Sequence, residues 1–339
     1  MPLRLNRTKT GRLPSALCAL VLLSAVLFSL SAHAENENTE IAPEVERFSF
    51  GVIGHPFHTP FGEQILRNAI KETDSDNLAF VVTNGIKSAQ EPCSDTLLDA
   101  RKNLINSAKN GLILSLAGSD WSECKHSNGR SAAIDRLNRI RDVFFSDDFS
   151  FGASRIPLTR QSTSPKFSSY VENARWDISN VVFATINLPA KNNHYLSDGG
   201  RNSEFEDRSI ANREWLQRIF FMAAQNKADG IVLFADGDPL ALPRHKVFDF
   251  NTKRDGFAEI RKVIYASAAK FRGKVLIVHS ASSTDGSALA STVPTIIWQK
   301  NLGDLDVASS WVKITVDEHN KTLFALGKKR NERIKALPQ

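Results

Sequence analysis

The chain has 339 residues, enough for one large domain or two ordinary ones, and its 42% hydrophobic and 24% charged residues exclude a disordered polymer. Its formal charge of +6 does not mark a nucleic-acid binder. Four of the cations, Arg4, Arg7, Lys9 and Arg12, precede an apolar run. A basic tail follows at the far end (Lys328, Lys329, Arg330, Arg333, Lys335), with no aromatic residue interleaved.

Taken in order, the chain opens with those cations, an apolar stretch from Leu17 to Leu30 and the small-x-small triplet Ala32-His33-Ala34. This is the pattern of a secretory signal, and the stretch falls short of the ~20 residues of a membrane span. Residues 1–34 are therefore expected to be cleaved, with an uncleaved anchor as the alternative. The mature chain then carries no transmembrane span and is periplasmic or secreted. Cys18 leaves with the signal, and in an exported chain the remaining Cys93 and Cys124 most simply form one disulfide. Residues 35–46 are acidic and polar and read as a linker, 47–327 as the folded domain, and 328–339 as a solvated basic tail.

Phe48–Gly54 is an apolar run ending in a glycine turn, a buried strand that delivers His55 at its tip. Helical spacing follows over 61–71, then a strand over 78–82 ending near Asn84-Gly85. A helix capped by Ser94 runs to about 108, and a strand over 111–116 leads to Gly118-Ser119-Asp120-Trp121. Residues 134–145 predict a helix. Residues 146–180, rich in Ser, Thr, Pro and Arg, predict a surface excursion with little regular structure.

Further on come a strand at 181–188, the polar loop Asn192-Asn193-His194, and a Gly- and Ser-rich stretch to about 209. A helix at 212–227 leads to a strand at 230–234, which ends in Asp236-Gly237-Asp238-Pro239. A helix at 255–271 and a strand at 274–279 ending in His279 complete the alternation. The β-type runs 295–299, 310–316 and 322–326 have no helices between them and predict antiparallel strands. Apolar strands alternating with helices imply a sheet covered on both faces, with functional groups in the loops beyond the carboxyl ends of the strands. His55, Asn84, Asp120, Asn192, Asn193, Asp236, Asp238 and His279 all fall in such loops or strand ends.

No nucleophile elbow, phosphate-binding glycine loop, dinucleotide fingerprint or zinc-protease helix motif is present. His55 and His279 are the candidate metal ligands, because imidazole suits transition metals. The alternative for each is a hydrogen-bonded structural histidine. Likewise Asn192 and Asn193 read either as ligand-binding amides or as a turn, and Asp236 and Asp238 as site carboxylates or as turn and cap residues.

The order of these segments resembles the calcineurin-like metallophosphoesterases, in particular an exported bacterial branch, from about Phe48 to Leu326. Phe50-Gly51-Val52-Ile53-Gly54-His55 stands where that family has an apolar strand ending in Gly-Asp. Asn84-Gly85-Ile86-Lys87-Ser88 stands where the branch has Gly-Asp-Ile-Lys-Ser, Gly118-Ser119-Asp120 near its third motif, and His279-Ser280-Ala281-Ser282-Ser283 at its last. The resemblance implies an α/β fold: a β-sandwich of two mixed sheets flanked by helices in four α/β/β/α layers. It also implies a site that, in the family, holds two metal ions for phosphoester hydrolysis. Here His55, Gly85, Gly118, Ser119, Ala281 and Ser283 stand at ligand positions, and only His279 matches. The resemblance therefore implies a non-catalytic protein that binds a small molecule or an envelope protein, with Asp120 and Trp121 packing the cleft wall. No cofactor is expected beyond, at most, one divalent ion. The alternative is a divergent metal-dependent hydrolase with a rebuilt, mononuclear site.

Overall fold

The computed structural model describes residues 47–330 apart from 60, 197–201, 243–253, 281–292 and 309. The expected signal, linker and most of the basic tail lie outside the described residues. Among those described, no helix is long and apolar enough to cross a membrane.

The first half builds β1 (Phe48–Ile53), α1 (Gly62–Thr73), β2 (Val81–Asn84), α2 (Asp95–Asn106), β3 (Leu112–Ser115) and α3 (Ala133–Phe144). β1, β2 and β3 run parallel. β2 and β3 are buried at every position, which explains their unbroken apolar sequences. Ser94 caps α2 as expected, its Oγ accepting the Leu97 N–H at 3.3 Å. The second half adds β4 (Thr159–Arg160), β5 (Ala174–Ile178), β6 (Val181–Thr185), α4 (Ser203–Gln225), β7 (Gly230–Phe234), α5 (Ala258–Ala268) and β8 (Lys274–His279). It ends with β9 (Ile297–Gln299), β10 (Leu302–Asp306), β11 (Trp311–Val316) and β12 (Phe324–Gly327).

The strands form two mixed sheets, ordered β12-β11-β1-β2-β3 and β4-β5-β6-β7-β8-β10-β9. Between them lies an apolar layer of Phe50, Phe80, Trp176, Phe183 and Phe234. Its rings stack or meet edge to face at 4.8–6.2 Å between centroids. On the outer face of the five-stranded sheet, Leu66, Leu98 and Ile140 of α1, α2 and α3 are buried. On the outer face of the seven-stranded sheet, Trp215, Ile219, Ile260 and Ile264 of α4 and α5 are buried. This is the expected four-layer α/β architecture.

Three expectations need correcting. The 146–180 excursion is not irregular throughout, because β4 and β5 extend the seven-stranded sheet antiparallel to β6. Ala174 and Trp176 alternate inward with Arg175 and Asp177, a period-two pattern that a polar neighbourhood obscures. α4 begins at Ser203 and not near Asn212. β10, parallel to β8, was not expected from Leu302-Gly303-Asp304-Leu305-Asp306. The terminal β runs divide: β9 closes the edge of the seven-stranded sheet, while β11 and β12 return to the five-stranded one. The disulfide joins Cys93 to Cys124, Cα atoms 5.9 Å apart, and ties the loop after β2 to the turn after β3.

Candidate functional site

The carboxyl ends of β1, β2, β3, β6 and β7 converge on a cleft of about 170 Å³, lined among others by His55, His58, Ser119, Lys191 and Asp236. Gly54 permits the convergence. A Cβ there would lie 1.6 Å from the Ala308 carbonyl oxygen, so no other residue fits at this strand tip.

Two buried carboxylates form the floor. Asp120 accepts the Ile86 N–H at 2.9 Å and the Lys87 N–H at 3.2 Å on one oxygen, and the Ala117 N–H at 2.8 Å on the other. Asp236 accepts the amide of Asn84 at 3.3 Å on one oxygen, and the N–H groups of Gly118 and Ala190, both at 2.8 Å, on the other. Each carboxylate thus holds three donors, Asp120 from two segments of the chain and Asp236 from three, and has little lone-pair capacity left for a cation. Burial pushes Asp120 up to about 7 against the pull of those N–H groups and of Lys87. Burial raises Asp236 as well, opposed by its own donors. Lys87 is buried too, donating to the carbonyls of Ser88 at 2.5 Å and Ser119 at 2.9 Å, and burial lowers its pKa.

His55 is fully engaged. Its Nδ1 accepts the Phe57 N–H at 3.3 Å, and its Nε2 lies 2.7 Å from Ser119 Oγ, which in turn donates to the Lys87 carbonyl at 2.9 Å. With Nδ1 accepting, Nε2 carries the proton, and no lone pair faces the cleft. Burial, with His58 and Lys87 nearby, lowers His55 to about 3, so the ring is neutral. The ring also fills the space at Gly85. A Cβ at Gly85 would stand 2.7 Å from His55 Cδ2, and φ there is +75°. Where a bridging carboxylate would begin, an imidazole packs instead.

Asn192 and Asn193 follow the cleft residue Lys191 in the chain but are committed elsewhere. Asn192, Asn193 and His194 all have positive φ, between 46° and 53°. Asn192 bonds the Arg254 carbonyl at 3.0 Å and the Gly256 N–H at 2.8 Å. Asn193 donates to the Gly256 carbonyl at 2.9 Å and accepts from the buried Arg208 at 2.5 Å. Glu204 joins Arg208 and His194; burial raises its pKa, but the Arg208 charge and those hydrogen bonds outweigh this and hold it at about 2. This network clamps the 192–194 turn onto α4 and the 254–256 segment.

His279 belongs to a separate cluster. In β8 it shares the face of Val275 and Ile277, which pack toward α4 and α5, not the face of Leu276 and Val278, which pack between the sheets. Its Nε2 lies 3.1 Å from Asp304 Oδ1 and 3.9 Å from Asp238 Oδ2, and its Nδ1 lies 3.8 Å from Asp306 Oδ1. Burial alone would lower this imidazole; Asp304, Asp238 and Asp306 outweigh it and raise the pKa. Asp238, His279 and Asp304 offer ligand atoms within 4.8 Å of one another, the one such metal-compatible group among the described residues. Sequence reasoning found His279 and Asp238 but missed Asp304 and Asp306, which lie on the unexpected strand β10. It also separated His279 from Asp304 by 25 residues with no local signal linking them.

The dinuclear metal centre implied by the family resemblance does not fit the cleft. Its floor carboxylates already accept three N–H groups each, Gly85 and Gly118 offer no side chain, and both His55 nitrogens are engaged.

No family model and no curated protein matches this chain. Among solved structures it is similar to the protein TT1561 of Thermus thermophilus, with TM-score 0.43 and 9% identity over 84% of this chain and 100% of the other. It is also similar to a phosphatase of Mycoplasma pneumoniae, with TM-score 0.41 and 9% identity over 86% of this chain and 97% of the other.

Proposed function

We propose that this chain is an exported protein of metallophosphoesterase-like fold that does not hydrolyse phosphoesters and uses the cleft between its sheets to bind a small polar molecule. One observation carries the reading: Asp120 and Asp236 each spend three acceptor positions on N–H groups of the surrounding loops. A carboxylate that staples loops together in this way does the positional work a metal ion would do and keeps at most about one acceptor position for a cation. The neutral His55 ring packed over Gly85 reinforces this, since it fills the space between the loops. The cleft still offers Ser88, Gln90, Ser119 and Ser122 to a polar ligand, and Lys191 paired with Glu123 at its rim. In the periplasm such a ligand is a small solute or a polar segment of an envelope protein.

A panel of phosphomonoester and phosphodiester substrates with added Mn²⁺, Zn²⁺ or Mg²⁺ tests this. The mature chain is expected to show no turnover above the His55→Ala variant. Robust turnover abolished by His55→Ala would overturn the proposal. The second reading, a hydrolase with a rebuilt mononuclear site, draws on the Asp238–His279–Asp304 group. Turnover that survives His55→Ala but is lost in Asp304→Asn would select it.

A further inference from the structure

We infer that Asp238, His279 and Asp304 form a single-ion site for a first-row divalent cation of the Zn²⁺ type, on the helix-covered face of the seven-stranded sheet. The site goes beyond the cleft reading and shares no donor with the cleft floor. Two of its donors stand on adjacent parallel strands. The β8–β10 register pairs His279 with Asp306 and Ile277 with Asp304, so all three polar side chains project from one face of a rigid sheet. The third donor, Asp238, is held by its own turn. Its Oδ1 accepts the N–H groups of Leu240 at 2.7 Å and Ala241 at 3.0 Å, while its other oxygen lies 3.9 Å from the imidazole.

The spacing fits a cation. With metal–ligand bonds of about 2.0–2.2 Å, neighbouring donors sit roughly 3 to 3.5 Å apart. Here Nε2 is 3.1 Å from Asp304 and 3.9 Å from Asp238, so small side-chain adjustments suffice. The present His279–Asp304 hydrogen bond is replaced, proton for metal, when an ion enters. Charge points the same way. Three carboxylates surround this buried ring, and Asp306 Oδ1 is buried without a hydrogen-bond partner. Negative charge gathered in this way at a partly buried site is costly, and a dication offsets it. One nitrogen with carboxylate oxygens favours a borderline ion over Mg²⁺ or Ca²⁺, which take all-oxygen sets. The site is open on one side. A groove of about 190 Å³, bordered by Asp238, Asp304, Tyr265 and Gln299, leaves room for water or an exogenous ligand on the ion.

The test uses the chelator-stripped mature chain titrated with Zn²⁺ by calorimetry, and with Co²⁺ followed by its visible absorption. One ion per chain is expected, with a Co²⁺ spectrum of nitrogen–oxygen coordination and a rise in melting temperature on adding Zn²⁺. Asp304→Asn and Asp238→Asn, both partly exposed positions, are expected to weaken binding at least about tenfold and to abolish the melting shift. If the wild-type chain binds no stoichiometric ion, the inference fails whatever the variants do. It fails equally if both variants, folded by circular dichroism, bind like the wild type. Phosphoesterase turnover is read separately, so loss of this site and loss of the cleft reading are distinguishable.

Discussion

Asp120 and His55 are neighbours around the Lys87–Ser119 corner of the cleft, yet they respond to pH in opposite senses. Burial raises Asp120 to about 7 from 3.8, so the folded state binds its proton more tightly than the unfolded state does. Its contribution to stability is full below about pH 4 and is lost as the pH rises to 7, at a slope of about 1.4 kcal/mol per pH unit. His55 is lowered to about 3 from 6.5, so the unfolded state binds its proton first. Its contribution is full above about pH 6.5 and is lost as the pH falls toward 3, with a slope of similar size. Between about pH 4 and 6.5 the two largely cancel in the wild type, and single substitutions separate them. In urea denaturation across that range, the stability advantage of wild type over Asp120→Asn should shrink as pH rises. The advantage over His55→Gln should grow. Asp120→Asn should also be less stable at every pH in the range, because its amide NH₂ must face backbone N–H donors. Three parallel pH profiles would contradict this account. None of it was legible from residue types. An Asp in a strand-end loop reads as ligand or cap, and only the directions of the Ile86, Lys87, Ala117, Gly118 and Ala190 N–H groups decide that Asp120 and Asp236 are staples.

At the scale of elements, what the sequence concealed follows a physical pattern. β1, β7 and β8 are buried on both faces, and their apolar runs mark them within a residue of where they stand. The start of α4 is hidden because its first turns are held by polar contacts. Glu204 and Arg208 bond Asn193 and His194, and apolar periodicity strengthens only near Trp215. β10 is hidden because the outward positions of a nominally buried strand carry Asp304 and Asp306, which serve His279. β5 lies in a polar stretch although Trp176 is one of the larger side chains of the inter-sheet layer. Trp176 stacks on Phe234 at 5.9 Å and meets Phe80 edge-on at 5.3 Å, while its indole N–H is buried without a partner. Trp176→Ala should therefore cost about 3 to 5 kcal/mol in chemical denaturation. Trp176→Phe keeps a ring and removes the orphan donor, so it should cost only about 1 kcal/mol. A loss below about 1 kcal/mol for the alanine variant would mean that β5 does not dock.

The whole molecule is tied together by the return of its last strands. β1 sits inside the five-stranded sheet only because β11 pairs with it, from Phe48 opposite Val316 to Ile53 opposite Trp311. The family resemblance pointed to two sheets, but a pairing so distant along the chain leaves no local trace, so the edge that β11 and β12 complete could not be assigned from the sequence. The cleft has the same long-range character, since Asp236 joins loops that follow β2, β3 and β6. The inter-sheet layer draws side chains from both sheets, so neither sheet can keep its inner face covered alone. It follows that the sandwich should unfold as one unit. Trp121, Trp176 and Trp215 lie in the three separate apolar layers, so fluorescence reports on all of them. Urea unfolding followed by tryptophan fluorescence and by far-ultraviolet circular dichroism should give coincident single transitions. A chain ending at residue 310 would strip β1 of one neighbour and expose Phe50 and Val52. It should lack a cooperative transition and be recovered as aggregate or as a compact state without fixed packing. Two separated transitions in the full chain would show instead that parts of the sandwich fold independently, and a cooperative transition in the shortened one would show that β11 and β12 are dispensable.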